Sequence, residues 1–124
     1  MNDSESHRER RWTWVEVAAW FDTEGTFTPV RKVQAVVAQK ERKVLDSLGN
    51  FLSSQKIHSN VYWYPRKRGH VLIVSGAINV IRVVNRILRL LRVESKKKAA
   101  AETLRMAELV RRTRGKPRRI RFPS

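Results

Sequence analysis

Two acids, Asp22 and Glu24, close a stretch that is otherwise apolar: Val17, Ala18, Ala19, Trp20, Phe21, Asp22, Thr23, Glu24, Gly25. Read as a helix, this stretch carries both carboxylates at its C-terminal end. The helix macrodipole is negative there, and acids near it are disfavoured. Such an end calls for positive charge nearby, and a divalent cation held by hard oxygen ligands is the natural candidate. The adjacent small residues Ala18 and Ala19 would also let a second backbone approach this helix closely.

The composition points to the partner. The chain has 124 residues, enough for one domain with a modest core. It carries 27 Lys and Arg against 11 Asp and Glu, a formal net charge of +16. That excess suits a polyanion. Nucleic acid is favoured over an acidic membrane surface, because the charge spreads over several elements and both candidate hairpins. Cysteine is absent, so there is no disulfide framework and no thiolate metal site. No apolar run is long enough to span a bilayer, and the polar start is unlike a signal peptide. The expected setting is soluble and intracellular, in the cytoplasm and close to the nucleoid. His7, His58 and His70 are scattered, without metal-ligand spacing. Neither a nucleophile elbow nor a phosphate-binding glycine loop is present.

The elements that must position Asp22 and Glu24 follow in order. Residues 1–11 read as a mobile polar arm. Thr13 and Glu16 fit a capping box that opens a first helix from about Trp14 to Glu24. Gly25 releases that helix into a hairpin of two short strands, residues 25–31 and 33–39. Pro29 marks the first strand as an edge or a bulge. A second helix starts at Lys40 and Glu41, with Val44, Leu45, Leu48, Phe51 and Leu52 on one face. A third strand spans residues 57–64. Ile57, Val61 and Trp63 point one way along it, and His58, Asn60, Tyr62 and Tyr64 the other. A turn over residues 65–69 leads to a fourth strand, residues 70–75. The third helix is expected over residues 77–92, with Ile78, Ile81, Val84, Leu88 and Leu91 as its apolar stripe and Arg82, Arg86 and Arg89 as a basic one. The last helix starts at Glu94 or Ser95 and runs to Arg112, and residues 113–124 form a basic tail. The order α-β-β-α-β-β-α-α describes an α+β domain over residues 12–112, with four antiparallel strands and helices on one face. The other face should carry the polar side chains of the strands.

The stretch from Val17 to Gly25 resembles the motif of the LAGLIDADG homing endonucleases. Val17 stands at the first Leu, Ala18 at the Ala and Ala19 at the first Gly. Trp20 and Phe21 take the next two apolar places, and Asp22, Thr23, Glu24 and Gly25 close it as acid, small, acid, glycine. The resemblance covers roughly residues 12–112, and the family has the same element order. It implies a saddle-shaped sheet over the DNA major groove, which is wide enough to admit a β-ribbon. It also implies a site built from Glu24, Asp22, Gln39 and Lys96. Glu24 would bind Mg²⁺ or Mn²⁺ at the scissile phosphates, with Asp22 as an orienting or helix-end residue. Gln39 would order solvent, and Lys96, with Lys98 as second choice, would complete the solvent network. One motif per chain implies a homodimer joined through Val17, Ala18, Ala19 and Phe21 on the first helix. Its target would be double-stranded DNA with a pseudo-palindromic site.

Base readers are expected on the open sheet face: Thr26, Thr28, Val30, Lys32 and Gln34 from the first hairpin, and His58, Asn60, Tyr62 and Tyr64 from the third strand. Arg31, Arg66, Lys67 and Arg68 are expected on phosphates, where they position without specifying. Trp63 is expected to pack at the sheet edge. The first hairpin is shorter than is usual in the family, which counts against a long recognition site. The leading expectation is a site-specific DNA endonuclease of a mobile intron or stand-alone gene. The alternative is a non-cleaving relative, an intron RNA maturase or DNA-binding regulator. An unrelated basic protein fits neither the motif nor the element order.

Overall fold

The computed structural model describes residues 11–115. The expected arm, apart from Arg11, and the tail beyond residue 115 lie outside the described residues. The first helix, α1 (Trp14–Glu24), starts where Thr13 Oγ1 accepts the Glu16 N–H at 3.2 Å. Next come β1 (Gly25–Thr28), β2 (Gln34–Gln39) and α2 (Arg42–Ser54). Then β3 (Asn60–Tyr64), a 3₁₀ turn (Pro65–Lys67), β4 (Gly69–Ser75) and α3 (Ala77–Ile87) follow. A second 3₁₀ turn (Leu88–Leu90) leads to α4 (Glu94–Gly115).

The strands form one antiparallel sheet in the order β1-β2-β4-β3, which makes an α+β domain. Partners across an antiparallel ladder share a face, and faces alternate along each strand. One face therefore carries Phe27, Ala35, Val37, Leu72 and Val74, all buried in the core. Helices α1 and α2 pack against this face. In α2, Leu45, Leu48 and Leu52 are fully buried, with Val44 and Phe51 against them, as the helical spacing predicts. Rings tie α1 to its neighbours. Phe21 stacks on Phe27 at 5.2 Å, Trp14 meets Phe51 edge-on at 5.0 Å, and Trp12 Nε1 donates to Ser47 Oγ at 2.9 Å.

Several expectations need correction. Strand β1 stops at Thr28 because Pro29 has no N–H to continue the ladder. Val30, Arg31 and Lys32 therefore lie in the turn, and Arg31 has φ 61°. Strand β3 starts at Asn60, so His58 precedes it, although Ile57 is buried as expected. Helix α3 ends at Ile87, and its buried stripe is Val80, Val83, Val84 and Ile87, while Ile78 is 36 % exposed. Leu91 is buried but extended, with ψ 144°, so it reaches the core without belonging to the helix. Helix α4 runs to Gly115, past the expected end at Arg112.

The open face differs most. Its rim is polar, with Thr26, Thr28, Gln34 and Asn60, but its centre is Val36, Ala38, Val71 and Ile73. Strands β2 and β4 occupy the middle of the sheet and are apolar on both faces. Central strands read this way when neither face is wholly solvated.

Gly25 leaves α1 at φ −98°, so it is not required for a left-handed turn. It is required for space. A Cβ there would lie 2.6 Å from the Phe21 carbonyl oxygen and 2.7 Å from the Phe21 Cδ1. Gly25→Ala is expected to lower unfolding free energy by about 1–3 kcal/mol through overpacking. Urea denaturation of the variant beside wild type measures this.

Candidate active site

Asp22 and Glu24 leave the same end of α1 and have different surroundings. The half-buried Asp22 accepts two backbone N–H bonds, from Arg92 to Oδ2 at 2.8 Å and from Val93 to Oδ1 at 3.0 Å. Those amides precede the first turn of α4, where Lys96 and Lys97 N–H groups each reach the Val93 carbonyl at 2.9 Å. A carboxylate at that position neutralises orphan amides and sits at the positive end of the α4 dipole. The acid that is misplaced on α1 is thus well placed on α4. Between α3 and this tie the chain passes through the second 3₁₀ turn and is extended at Leu91.

Glu24 is exposed, and its carboxylate has no hydrogen-bond or ion-pair partner among the described residues. It lines two adjoining grooves. One, of about 520 Å³, runs onto the open sheet face past Thr26, Val36, Tyr64, Lys67 and Ile73 to Lys96. The other, of about 310 Å³, is bounded by Gln39, Lys40, Lys67, Gly69 and His70. Lys96 donates from Nζ to the carbonyl oxygen of Gly25, the residue that caps α1. The positive partner expected at the C-terminal end of α1 is therefore supplied in part by a lysine. Gln39 Oε1 accepts the N–H of Lys40 at 2.8 Å, which leaves its amide N–H groups to meet solvent.

The fold brings Glu24, Gln39 and Lys96 to one end of the sheet, with Asp22 behind them holding α4. Lys98 is exposed and does not line either groove. Among the nucleic-acid candidates, Thr26, Thr28, Gln34, Asn60, Tyr62 and Tyr64 share the open face. The turn of Arg66, Lys67 and Arg68 lies at the Glu24 end. Val30, Arg31 and Lys32 lie past the opposite end of β1, and His58 past the same end of β3. The expected dimer contacts need correction. Val17, Ala18 and Phe21 are buried in the chain's own core, Ala18 to 1 % exposure, so their side chains cannot meet a second chain. Ala19 is exposed, and with Val15 and Thr23 it forms the outward stripe of α1.

No protein-family model and no curated protein matches this chain. The site stands on its own geometry.

Sequence reasoning passed over His70, Lys40 and the position of Lys67. His70 pairs in register with Gln39, and its Nδ1 lies 3.2 Å from the Lys40 carbonyl oxygen. Trp63, expected to pack at the edge, is 57 % exposed and has the His70 ring edge-on at 5.1 Å. The available signal was strand pairing: a residue opening β4 must neighbour the end of β2. It becomes usable only once the strand order is known. No group of three or more His, Cys, Asp or Glu suited to a metal occurs among the described residues, so one chain offers Glu24 as its free carboxylate here. Among the described residues no helix is long and apolar enough to cross a membrane.

Asp22→Ala is expected to destabilise the fold by about 0.5–2 kcal/mol through loss of the α4 cap. Hydrogen exchange should speed up first at the Arg92 and Val93 amides. Unchanged exchange at those two amides would show that the tie contributes nothing.

Proposed function

We propose that this chain is a divalent-metal-dependent DNA endonuclease of the LAGLIDADG type, cutting double-stranded DNA at a specific, pseudo-palindromic site as a homodimer. The observation that carries the reading is the free carboxylate of Glu24, in grooves whose other charged residues within reach are Lys40, Lys67 and Lys96. A polyanion drawn in by those cations meets a like charge at Glu24 unless a metal ion lies between them. Mg²⁺ or Mn²⁺ held there would polarise the phosphoryl group and activate water. Glu24 fits such an ion as a hard, unpaired oxygen ligand, and a second copy would have to supply the remaining carboxylate.

The chain's own residues have distinct tasks in this reading. Lys67 and Lys40 position the phosphate by charge, Gln39 orders solvent with its amide N–H groups, and Lys96 fixes the backbone at Gly25. Asp22 acts at a distance, by holding α4 so that Lys96 reaches this end of the sheet. The element order and the motif from Val17 to Gly25 support the LAGLIDADG fold. The homodimer rests on the outward stripe of α1, where Val15 is 63 % exposed and Ala19 and Thr23 are small. Residues spaced by four share one helical face, and small side chains permit close helix approach.

One observation favours the non-cleaving alternative, a DNA or intron-RNA binder of the same fold. Lys96 already sets positive charge at the end of α1, so the helix end can be stable without a metal.

Glu24→Gln keeps the size and removes the charge. It should abolish Mg²⁺-dependent plasmid cleavage and leave gel-shift affinity for the same DNA intact, or raised without metal. A wild type that binds its target with Mg²⁺ or Mn²⁺ and never cuts would overturn the enzyme reading. Ala19→Arg should convert the dimer to monomer in sedimentation while leaving the melting temperature nearly unchanged. A wild type that stays monomeric at concentrations well above those needed for DNA binding would end the dimer proposal.

A further inference from the structure

Strand β3 is an edge of the sheet and pairs with β4 alone. It carries three consecutive exposed aromatic residues, Tyr62, Trp63 and Tyr64. Tyr62 and Tyr64 point to the open face, where a duplex would lie, and Trp63 points away from it, in one row with His70 and Gln39. That row ends beyond the reach of the core, and Trp63, unlike the other three tryptophans, remains 57 % exposed. An indole so placed costs free energy in water and contributes little to the core.

The ring is nonetheless held in place. His70 meets Trp63 edge-on, at 5.1 Å between centroids and an interplanar angle of 66°. His70 is itself fixed, because the Lys40 carbonyl can only accept, so the proton of that 3.2 Å bond sits on Nδ1. Directly after Tyr64 the chain turns through Pro65 and presents Arg66, Lys67 and Arg68. All three are exposed, and none has an ion-pair partner among the described residues. Arg68 is held at φ 49°, a left-handed conformation that non-glycine residues seldom adopt. Lys67 and His70 both line the groove that leads to Glu24. An exposed indole in contact with His70, beside three cations with no ion-pair partner among the described residues, is the chemistry that binds a nucleobase with its phosphates. In duplex DNA the base faces are stacked on one another and closed to an indole. They are open only where the base is unpaired.

We propose that Trp63, seated on His70 and flanked by Arg66, Lys67 and Arg68, is a stacking site for an unpaired nucleobase, so that the nucleic acid engaged at this end of the sheet is locally single-stranded. This rests on the nucleic-acid reading above and narrows its substrate class. A base on Trp63 would direct its own strand along Lys67 toward Glu24, whereas the open face would hold the paired portion.

The test uses the full chain, titrated with short oligo(dT), short oligo(U) and a perfect DNA duplex. Trp63 is the solvent-facing indole among the described residues, since Trp12 is 7 % exposed and Trp14 and Trp20 are packed against the core. Stacking should therefore quench its emission with oligo(dT), oligo(U) or both, the two arms reporting whether the 2′-hydroxyl is tolerated. Trp63→Leu should lose single-strand affinity by roughly 5- to 150-fold, the range expected of one stacked base. Its duplex affinity and far-UV circular dichroism should stay unchanged, and Trp63→Tyr should retain most of the single-strand binding. The proposal is overturned if Leu and Tyr variants lose equally, or if duplex and single-strand affinities fall together. A wild type that binds duplex and ignores both oligonucleotides removes the stacking site and leaves the duplex reading standing. A wild type that binds none of the three removes both.

Discussion

The carboxylate of Asp22 joins the two ends of the fold on which the candidate site depends. It leaves the C-terminus of α1 and receives the amides of Arg92 and Val93 at the start of α4. Through that contact one charge serves two helices with opposite consequences. It is unfavourable to the dipole of α1 and favourable to that of α4, and two backbone donors that would otherwise be orphaned are satisfied. The geometry then propagates. With the chain tied at residue 92, α4 begins beside β1, and Lys96 lies within reach of the Gly25 carbonyl. Lys96 thus marks the boundary of the larger groove because Asp22 holds the helix that carries it.

This division of labour sharpens what Glu24 means. Two acids at a helix end within a strongly basic chain look equivalent in sequence. In the structure Asp22 has structural partners, while Glu24 has none among the described residues. A carboxylate with no such partner, beside lysines in one groove and within a chain of formal net charge +16, is a local reversal of the global field.

The elements whose signals are local were legible in the sequence. Thr13 capped α1 as read, because capping depends on neighbours three residues apart. The face of α2 was also correct, since Leu45, Leu48 and Leu52 leave one choice of stripe. In α3 apolar residues occur on several faces, so periodicity alone selected Ile78 where packing selects Val80. The junction between α3 and α4 was out of reach, because it holds a contact with Asp22 about seventy residues away in sequence. The candidate site was legible as to Glu24, Gln39 and Lys96. Its other wall, His70 and Lys67, was not, since only the order β1-β2-β4-β3 places β4 beside β2. The outward face of α1 was legible only at Ala19. The motif residues Val17, Ala18 and Phe21 turn inward, and the outward positions are Val15, Ala19 and Thr23.

The apolar centre of the open face has a thermodynamic consequence. Val36, Ala38, Val71 and Ile73 form a floor, of which Val71 is only 8 % exposed and the others half-buried. A ligand that settles there by phosphate contacts alone would gain mainly from counterion release, and its affinity would collapse with salt. One that also drives water off the floor gains a second, salt-insensitive contribution, and thymine methyl groups are the part of the major groove suited to it. If the duplex of the proposed function lies across β2 and β4, the heat capacity of its association should be negative, with a magnitude that grows with A·T content. Base composition would then be sensed through dehydration, at the point where the strands carry no polar reader at all.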